Sequence, residues 1–291
     1  MSSVVVLLGL IVAFCFGTSD YLSKGLTGQV GFYKTTIYTL VLSGLFIILP
    51  SSLFGAPKLP SATGVLVLVL LAAATFLAFL CMYRGYQKGN LAVISPTVNS
   101  FPVFSVVFAI FALKIHVSGT LLAVLGGVVA GILLVSTNLS SFGPSKGRLT
   151  PGLAEGLLAA FFFAVGFTLL GYADETMGYL LPVVAARLGG GCVGILAATP
   201  LRQDLRPFGG KALRRVASMA VLEAGGLFTF NAALSFYSIG GLPILTTLAG
   251  MGVVFTVSYA LVLLKEKVEI NYAIGIGVLV ASVAALLFLT A

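Results

Sequence analysis

The chain has 291 residues, 59% of them hydrophobic and 8% charged, where an ordinary soluble domain is about 25% charged; this excludes a water-soluble globular fold and predicts a polytopic membrane protein. The net charge of +8 would suit a nucleic-acid partner only if the basic residues formed one patch, and they are dispersed among the loops. Cys15, Cys81 and Cys192 lie in apolar runs without CxxC or Cys/His spacing, so no metal, redox centre or other cofactor is expected.

The opening MSSVVVLLGL has no basic n-region and no small-x-small cleavage site, and reads as a retained first span rather than a signal peptide. Apolar runs of bilayer length then follow near 3–23, 31–50, 62–83, 91–113, 117–137, 153–172, 178–200, 214–237, 242–264 and 270–290. The expected fold is thus all-α and integral to the membrane, with ten transmembrane helices. The polar connector NLSSFGPSKGRLTP (Asn138 to Pro151) halves the chain into residues 1–138 and 153–291, with 139–152 between them.

Helix 1 ends in GTSDYLSK (Gly17 to Lys24). Asp20 is either an i,i+4 partner of Lys24 or, with Thr18, Ser19 and Tyr21, part of a polar cavity mouth. Tyr83 and Tyr86 close helix 3 and Tyr237 closes helix 8, as interfacial anchors or as substrate contacts.

Helix 4, VISPTVNSFPVFSVVF (Val93 to Phe108), contains both Pro96 and Pro102. Each proline lacks an amide donor and crowds the carbonyl four residues back, and such a break is tolerated in hydrocarbon only where it faces protein, water or a ligand. Ser95, Thr97, Asn99 and Ser100 supply side-chain partners. They either satisfy the helix's own backbone or line a cavity, with Asn99 the leading candidate for substrate contact.

Charges inside spans are functional candidates by default. Arg187 in helix 7 and Glu223 in helix 8 are the two clear cases, placed about 13 Å and about 21 Å from the same side at 1.5 Å per residue. Either Glu223 pairs structurally with Arg187, or it binds a proton or a substrate amine. Asn231 lies about 12 Å further along the same helix face. In helix 9, Thr246, Thr247, Gly250 and Gly252 take the places of Ser95, Pro96, Asn99 and Phe101. They are read as a smooth wall opposite helix 4 or as a close-packing face. Glu155, Asp174, Glu175, His116 and Glu269, at span ends or in loops, are read as solvated.

The substitutions in helix 9 rest on an internal repeat. At a shift of 151, Tyr86, Gly89, Leu91, Phe104, Val106, Ala109, Leu113, Lys114, Val117, Gly126, Val129 and Ala130 recur without a gap as Tyr237, Gly240, Leu242, Phe255, Val257, Ala260, Leu264, Lys265, Val268, Gly277, Val280 and Ala281. Apolar composition alone would give roughly four or five such matches. At a shift of 147, Gly9, Leu10, Ala13, Phe14 and Phe16 meet Gly156, Leu157, Ala160, Phe161 and Phe163. Five helices per half is odd, so the second half enters from the opposite side. Two inverted five-helix repeats around a central cavity are the physical basis of alternating access.

Loops 1-2, 3-4, 5-6, 7-8 and 9-10 carry twelve basic residues, among them Lys24, Arg84, Lys88 and Arg202, with Lys34 at the foot of helix 2; Lys58 and Lys114 are alone on the other side. The positive-inside rule puts these loops in the cytoplasm and both termini outside a multi-pass cell-membrane protein.

The segments FYSIGGLPILTTLAGMGVVF (Phe236 to Phe255), LKEK (Leu264 to Lys267) and NYAIGIG (Asn271 to Gly277), with their first copies YQKGNLAVISPTVNSFPVF, LKIH and VLGG, resemble the EamA-type branch of the drug/metabolite transporter superfamily. The two copies differ where Glu266 meets Ile115. The resemblance covers nearly the whole chain and implies a ten-helix carrier of small metabolites or amphipathic compounds. The expected partners are a small-molecule substrate, protons or a counter-solute, and the lipid bilayer, in a monomer or weak homodimer. A passive channel would want a continuous polar stripe. An intramembrane enzyme lacks HExxH, GxSxG or an acidic pair at one depth, and no Walker motif provides for ATP.

Overall fold

The computed structural model describes residues 3–49, 60–112, 114, 118–136, 151–178, 180–236 and 239–266, with scattered positions between 270 and 285. Every regular element among them is helical. The first half contains α1 (Ser3–Val30), α2 (Phe32–Ile48), α3 (Ala62–Lys88), α4 (Leu91–Val98), α5 (Phe101–Phe111) and α6 (Gly119–Ser136). In the second lie α7 (Leu153–Met177), α8 (Leu180–Val184), a π-helical turn (Ala185–Gly189), α9 (Gly190–Ala198), α10 (Gly210–Ser235), a 3-10 turn (Ile239–Gly241), α11 (Leu242–Gly250) and α12 (Gly252–Val262).

Among the described residues, seven helical stretches are long and apolar enough to cross a membrane. Three of them are composite: Leu91–Phe111, Leu180–Ala198 and Ile239–Val262. The helix Phe32–Ile48 and the segment Leu122–Gly131 are apolar but shorter. Most of the expected connector and tenth span, together with Tyr237, His116 and Glu269, lie outside the described residues.

Helix α1 runs to Val30, past the expected end at residue 23. Its polar last turns find partners without leaving the helix or its neighbours. Ser23 donates to Asp20 O at 2.7 Å and Thr27 to Lys24 O at 3.1 Å. Lys24 does not pair with Asp20; its Nζ donates to Tyr86 O at 2.7 Å and Gly89 O at 2.5 Å, at the C-terminal end of α3. A cation there meets carbonyls left over by the last helical turn. Gly31, at φ 86°, then reverses the chain in one residue, a conformation that costs glycine little.

Both broken helices break at the same repeat position. Adding 151 to the bounds of α4 and α5 gives the starts of α11 and α12 and the end of α12. Ser100 (φ −76°, ψ 0°) and Met251 (φ −66°, ψ −7°) share one backbone conformation. Their bonds also correspond: Ser100 N to Thr97 O and Val103 N to Ser100 O in one break, Met251 N to Leu248 O and Val254 N to Met251 O in the other. After each second segment a lysine, Lys114 or Lys265, adopts positive φ of 53° or 55°.

The packing partners exchange in the same way. Helix α4 lies against α12 and α5 against α11, so the two broken helices run in opposite directions. Helix α1 packs on α10, α11 and α12, as α7 packs on α3, α4 and α5. Gly9 of α1 meets Leu248 of α11, while Gly156 of α7 meets Thr97 of α4, the residue 151 positions earlier than Leu248. At the centre Gly250 lies against Pro102 and the carbonyl of Asn99. With no side chain there, the two breaks pack backbone to backbone, an approach that small residues permit.

Candidate functional site

A small cavity of about 50 Å³ lies beside the α4/α5 break. Val98, Asn99 and Phe101 line it from the break, Phe16 and Asp20 from α1, and Phe79 and Met82 from α3. Phe163 and Phe167 of α7, Arg187 of the π-turn and Glu223 of α10 complete the lining. A second cavity of about 30 Å³ shares Phe79, Phe163, Phe167 and Arg187 and extends past Leu71, Thr75 and Leu170. It lies toward the end of α3 remote from Arg84 and Lys88. No residue of α11 or α12 lines either cavity; the smooth wall expected from helix 9 is instead a packing face.

Arg187 and Glu223 form one buried ion pair. Nη2 of Arg187 donates to Glu223 Oε2 at 2.9 Å and to Glu223 O at 3.4 Å, with side chains 3% and 4% exposed. The guanidinium carbon lies 4.7 Å from the Phe79 ring centroid, within cation–π range. Nε and Nη1 of Arg187 have no acceptor among the described residues. A π-turn inserts one residue into the helical repeat, here in the span that carries Arg187.

Asp20 is buried, 6% exposed, and no cation among the described residues pairs with it. Thr256 of α12 divides its hydroxyl between Gly17 O and Gly252 O, each at 3.1 Å, and Asp20 Oδ2 at 3.4 Å. Asn99 and Tyr86 are its other polar neighbours. Asn99 itself donates to Ser95 O at 2.9 Å and to Ser95 Oγ at 3.2 Å. It therefore serves the broken backbone and lines the cavity at once.

The remaining candidates are buried away from the lining. Thr97 donates to Val93 O, Thr246 to Leu242 O and Thr247 to Pro243 O, the back-bonding that hydroxyls make inside apolar helices. Ser19 is wholly buried, and its Oγ has no partner among the described residues. Tyr83 and Tyr86, expected as interfacial anchors or substrate contacts, are fully buried and line neither cavity. Tyr83 packs edge-on to Phe79, and neither hydroxyl has a hydrogen-bond partner among the described residues.

Asn231 sits near the far end of α10 and donates to Asp174 Oδ1 at 3.2 Å. Asp174, expected to be solvated, is half-buried by that contact. Glu155 is likewise half-buried, paired with Lys88 and with Arg84. Glu175 is exposed and accepts from Ile239 N at 2.9 Å, at the entry to α11.

An EamA-like transporter family model matches residues 3–137. Together with the apolar helices, this match supports a multi-pass membrane protein. No curated protein sequence matches the chain. Among solved structures, a crystal structure described only as that of a protein superposes with a TM-score of 0.73 at 15% identity, covering 99% of this chain and 98% of that one. At that identity the likeness is one of fold, and it extends past the EamA match through the second half.

Sequence reasoning missed a contact that joins the EamA half to the rest of the chain. Glu266, beyond α12, accepts from Leu91 N at 3.2 Å and Ala92 N at 2.8 Å. It caps the free amides at the N-terminus of α4. The signal was present in the mismatch of Glu266 with Ile115, but the partner lies 175 residues away.

Proposed function

We propose that the protein is a secondary active carrier moving a small, amino-acid-like or amphipathic organic solute by alternating access between two inverted repeats, residues 1–138 and 153–291. One observation carries the reading. Two helices broken at the same repeat position cross in opposite directions, and beside one break lies a cavity lined by Asp20, Asn99, Arg187, Glu223 and five phenylalanines. Buried charge and broken backbone are both costly in hydrocarbon. Their convergence on one cavity is accounted for by a solute that engages them there.

In this reading Asn99, Asp20, Arg187 and Glu223 contact or orient the solute. Ser95, Thr97, Thr246, Thr247, Ser19, Tyr83 and Asn231 form the supporting shell, and Pro96, Pro102, Gly250 and Gly252 permit the crossing to rearrange. Protons or a counter-solute are exchanged. The basic loops face the cytoplasm and both termini the outside. Lys24, Glu266, and Glu155 with Arg84 and Lys88 then hold the cytoplasmic side together, while the second cavity points outward.

Counterflow in proteoliposomes tests it. Vesicles preloaded with an unlabelled amino acid should accumulate the labelled form transiently, and Asn99→Leu should abolish the overshoot. Equal rates with and without preloading mean a channel and defeat the proposal.

A further inference from the structure

We infer that Arg187 is the residue that receives the carboxylate of the transported solute, with Glu223 as the positioning residue that holds the guanidinium in place. This rests on the central cavity being the solute site.

A guanidinium carries five N–H donors. Glu223 engages Nη2 alone, through one carboxylate oxygen and its own backbone carbonyl. Nε and Nη1 keep three donors without an acceptor among the described residues, on a side chain only 3% exposed that lines both adjoining cavities. Buried donors left unmet are costly, and an acceptor in the cavity relieves that cost. Phe79 under the guanidinium limits where the acceptor can approach.

The charge balance of the lining, which also holds the carboxyl of Asp20, bears on the kind of acceptor. With Glu223 already neutralising Arg187, a bare anion would bring an unbalanced negative charge into a medium of low dielectric. A second carboxylate or a phosphate would be worse. A solute bearing one carboxylate and one amine leaves the cavity's net charge unchanged, and Asp20 in the same lining can accept from its amine. Phe16, Phe101, Phe163 and Phe167 surround the cavity with apolar surface, which suits an apolar side chain beside the two charges. The inferred class is an apolar zwitterion held by its carboxylate at Arg187.

The test compares leucine, methionine and phenylalanine, each with its own carboxamide, by isothermal titration on the purified full chain. Acid and amide differ in one heavy atom and the negative charge it shares, and a charge-assisted hydrogen bond predicts a preference for the acid of about 10- to 100-fold. Arg187→Gln should erase the preference and Arg187→Lys should retain part of it. Glu223→Gln should increase it, because the carboxylate no longer competes with Glu223; a purely structural arginine gives no such gain. If Arg187→Gln does not fold, the double variant Arg187→Gln/Glu223→Gln removes both charges of the pair and should show equal affinity for acid and amide.

A wild type that binds none of the acids more tightly than its amide overturns the inference, as does a double variant that keeps the preference. Counterflow separates this from a failure of the carrier reading. Exchange that persists while the acid preference ignores Arg187 removes the anchor alone. Exchange that survives filling the cavity with Phe163→Trp removes the cavity as the solute site.

Discussion

Arg187 and Glu223 meet at 2.9 Å, from a π-helical turn and from the middle of α10, both side chains all but excluded from solvent. Taking two charges out of water costs several kcal/mol per ion, and removing one partner leaves the other charged and alone, which costs about 3–5 kcal/mol. Arg187→Met should therefore destabilise the protein more than the double variant Arg187→Met/Glu223→Leu. Thermal unfolding in detergent measures this; additive losses in the two single variants would show that the pair is not coupled.

The carboxylate of Glu266 accepts two amides at the start of α4. A side-chain cap is worth about 0.5–2 kcal/mol. Replacing it by Gln leaves one acceptor where there were two, so Leu91 and Ala92 should exchange their amide hydrogens about five- to tenfold faster. Glu266→Ala should exceed that. Deuterium exchange by mass spectrometry reads the peptide over residues 91–95, and an unchanged rate would mean the cap contributes nothing.

The break in helix 4 was legible because Pro102 cannot continue a helix and is tolerated only in a first turn, although Pro96 stays inside α4, and the repeat located its partner between Gly250 and Gly252. Arg187 and Glu223 stood out because charge inside an apolar run is conspicuous; their contact was weighed only by depth, since helix rotation is set by packing. Asp20 was harder to read. KGLTGQ after it looks like a loop, yet Lys24 and Thr27 find carbonyl partners and carry the helix on to Val30, which moves Asp20 from a span end to a cavity wall. The helix 9 threonines looked like a binding wall for the opposite reason. Hydroxyls that bond their own helix are indistinguishable in sequence from hydroxyls that face a ligand.

Lys34 of α2 donates to Asp204 Oδ2 at 2.8 Å, tying that helix to the loop before α10. This hydrogen bond, supported by the amide of Arg206, holds the Asp204 carboxyl below the usual carboxylate range. A depressed folded value stabilises the fold above the ordinary aspartate range, near 3.9, and the effect is lost as pH falls through the folded value. The carboxylate is solvent-exposed, so the contribution is small and screened by salt. The melting difference between wild type and Asp204→Asn should be present at pH 6, shrink in high salt and vanish well below pH 3. A difference that persists in acid would assign the stabilisation to something other than this ion pair.

Gly17 of α1 and Gly252 of α12 touch. A Cβ on Gly17 would meet the carbonyl oxygen of Gly252 and lie 2.8 Å from Phe255 Cβ. Backbone cannot rotate aside, so Gly17→Ala must push α1 away from α12, straining Thr256 in its bond to Gly17 O and disturbing the wall that holds Asp20. Overpacking of this kind costs about 1–3 kcal/mol. Gly225, exposed on α10, has nothing within 4 Å of its would-be Cβ, and alanine there should gain about 0.5–1 kcal/mol of helix propensity. Unfolding of the two variants side by side should move in opposite directions, with solute exchange lowered in Gly17→Ala and retained in Gly225→Ala. Equal stability in both would mean that α1 and α12 separate without cost, and that their close contact does not position Asp20.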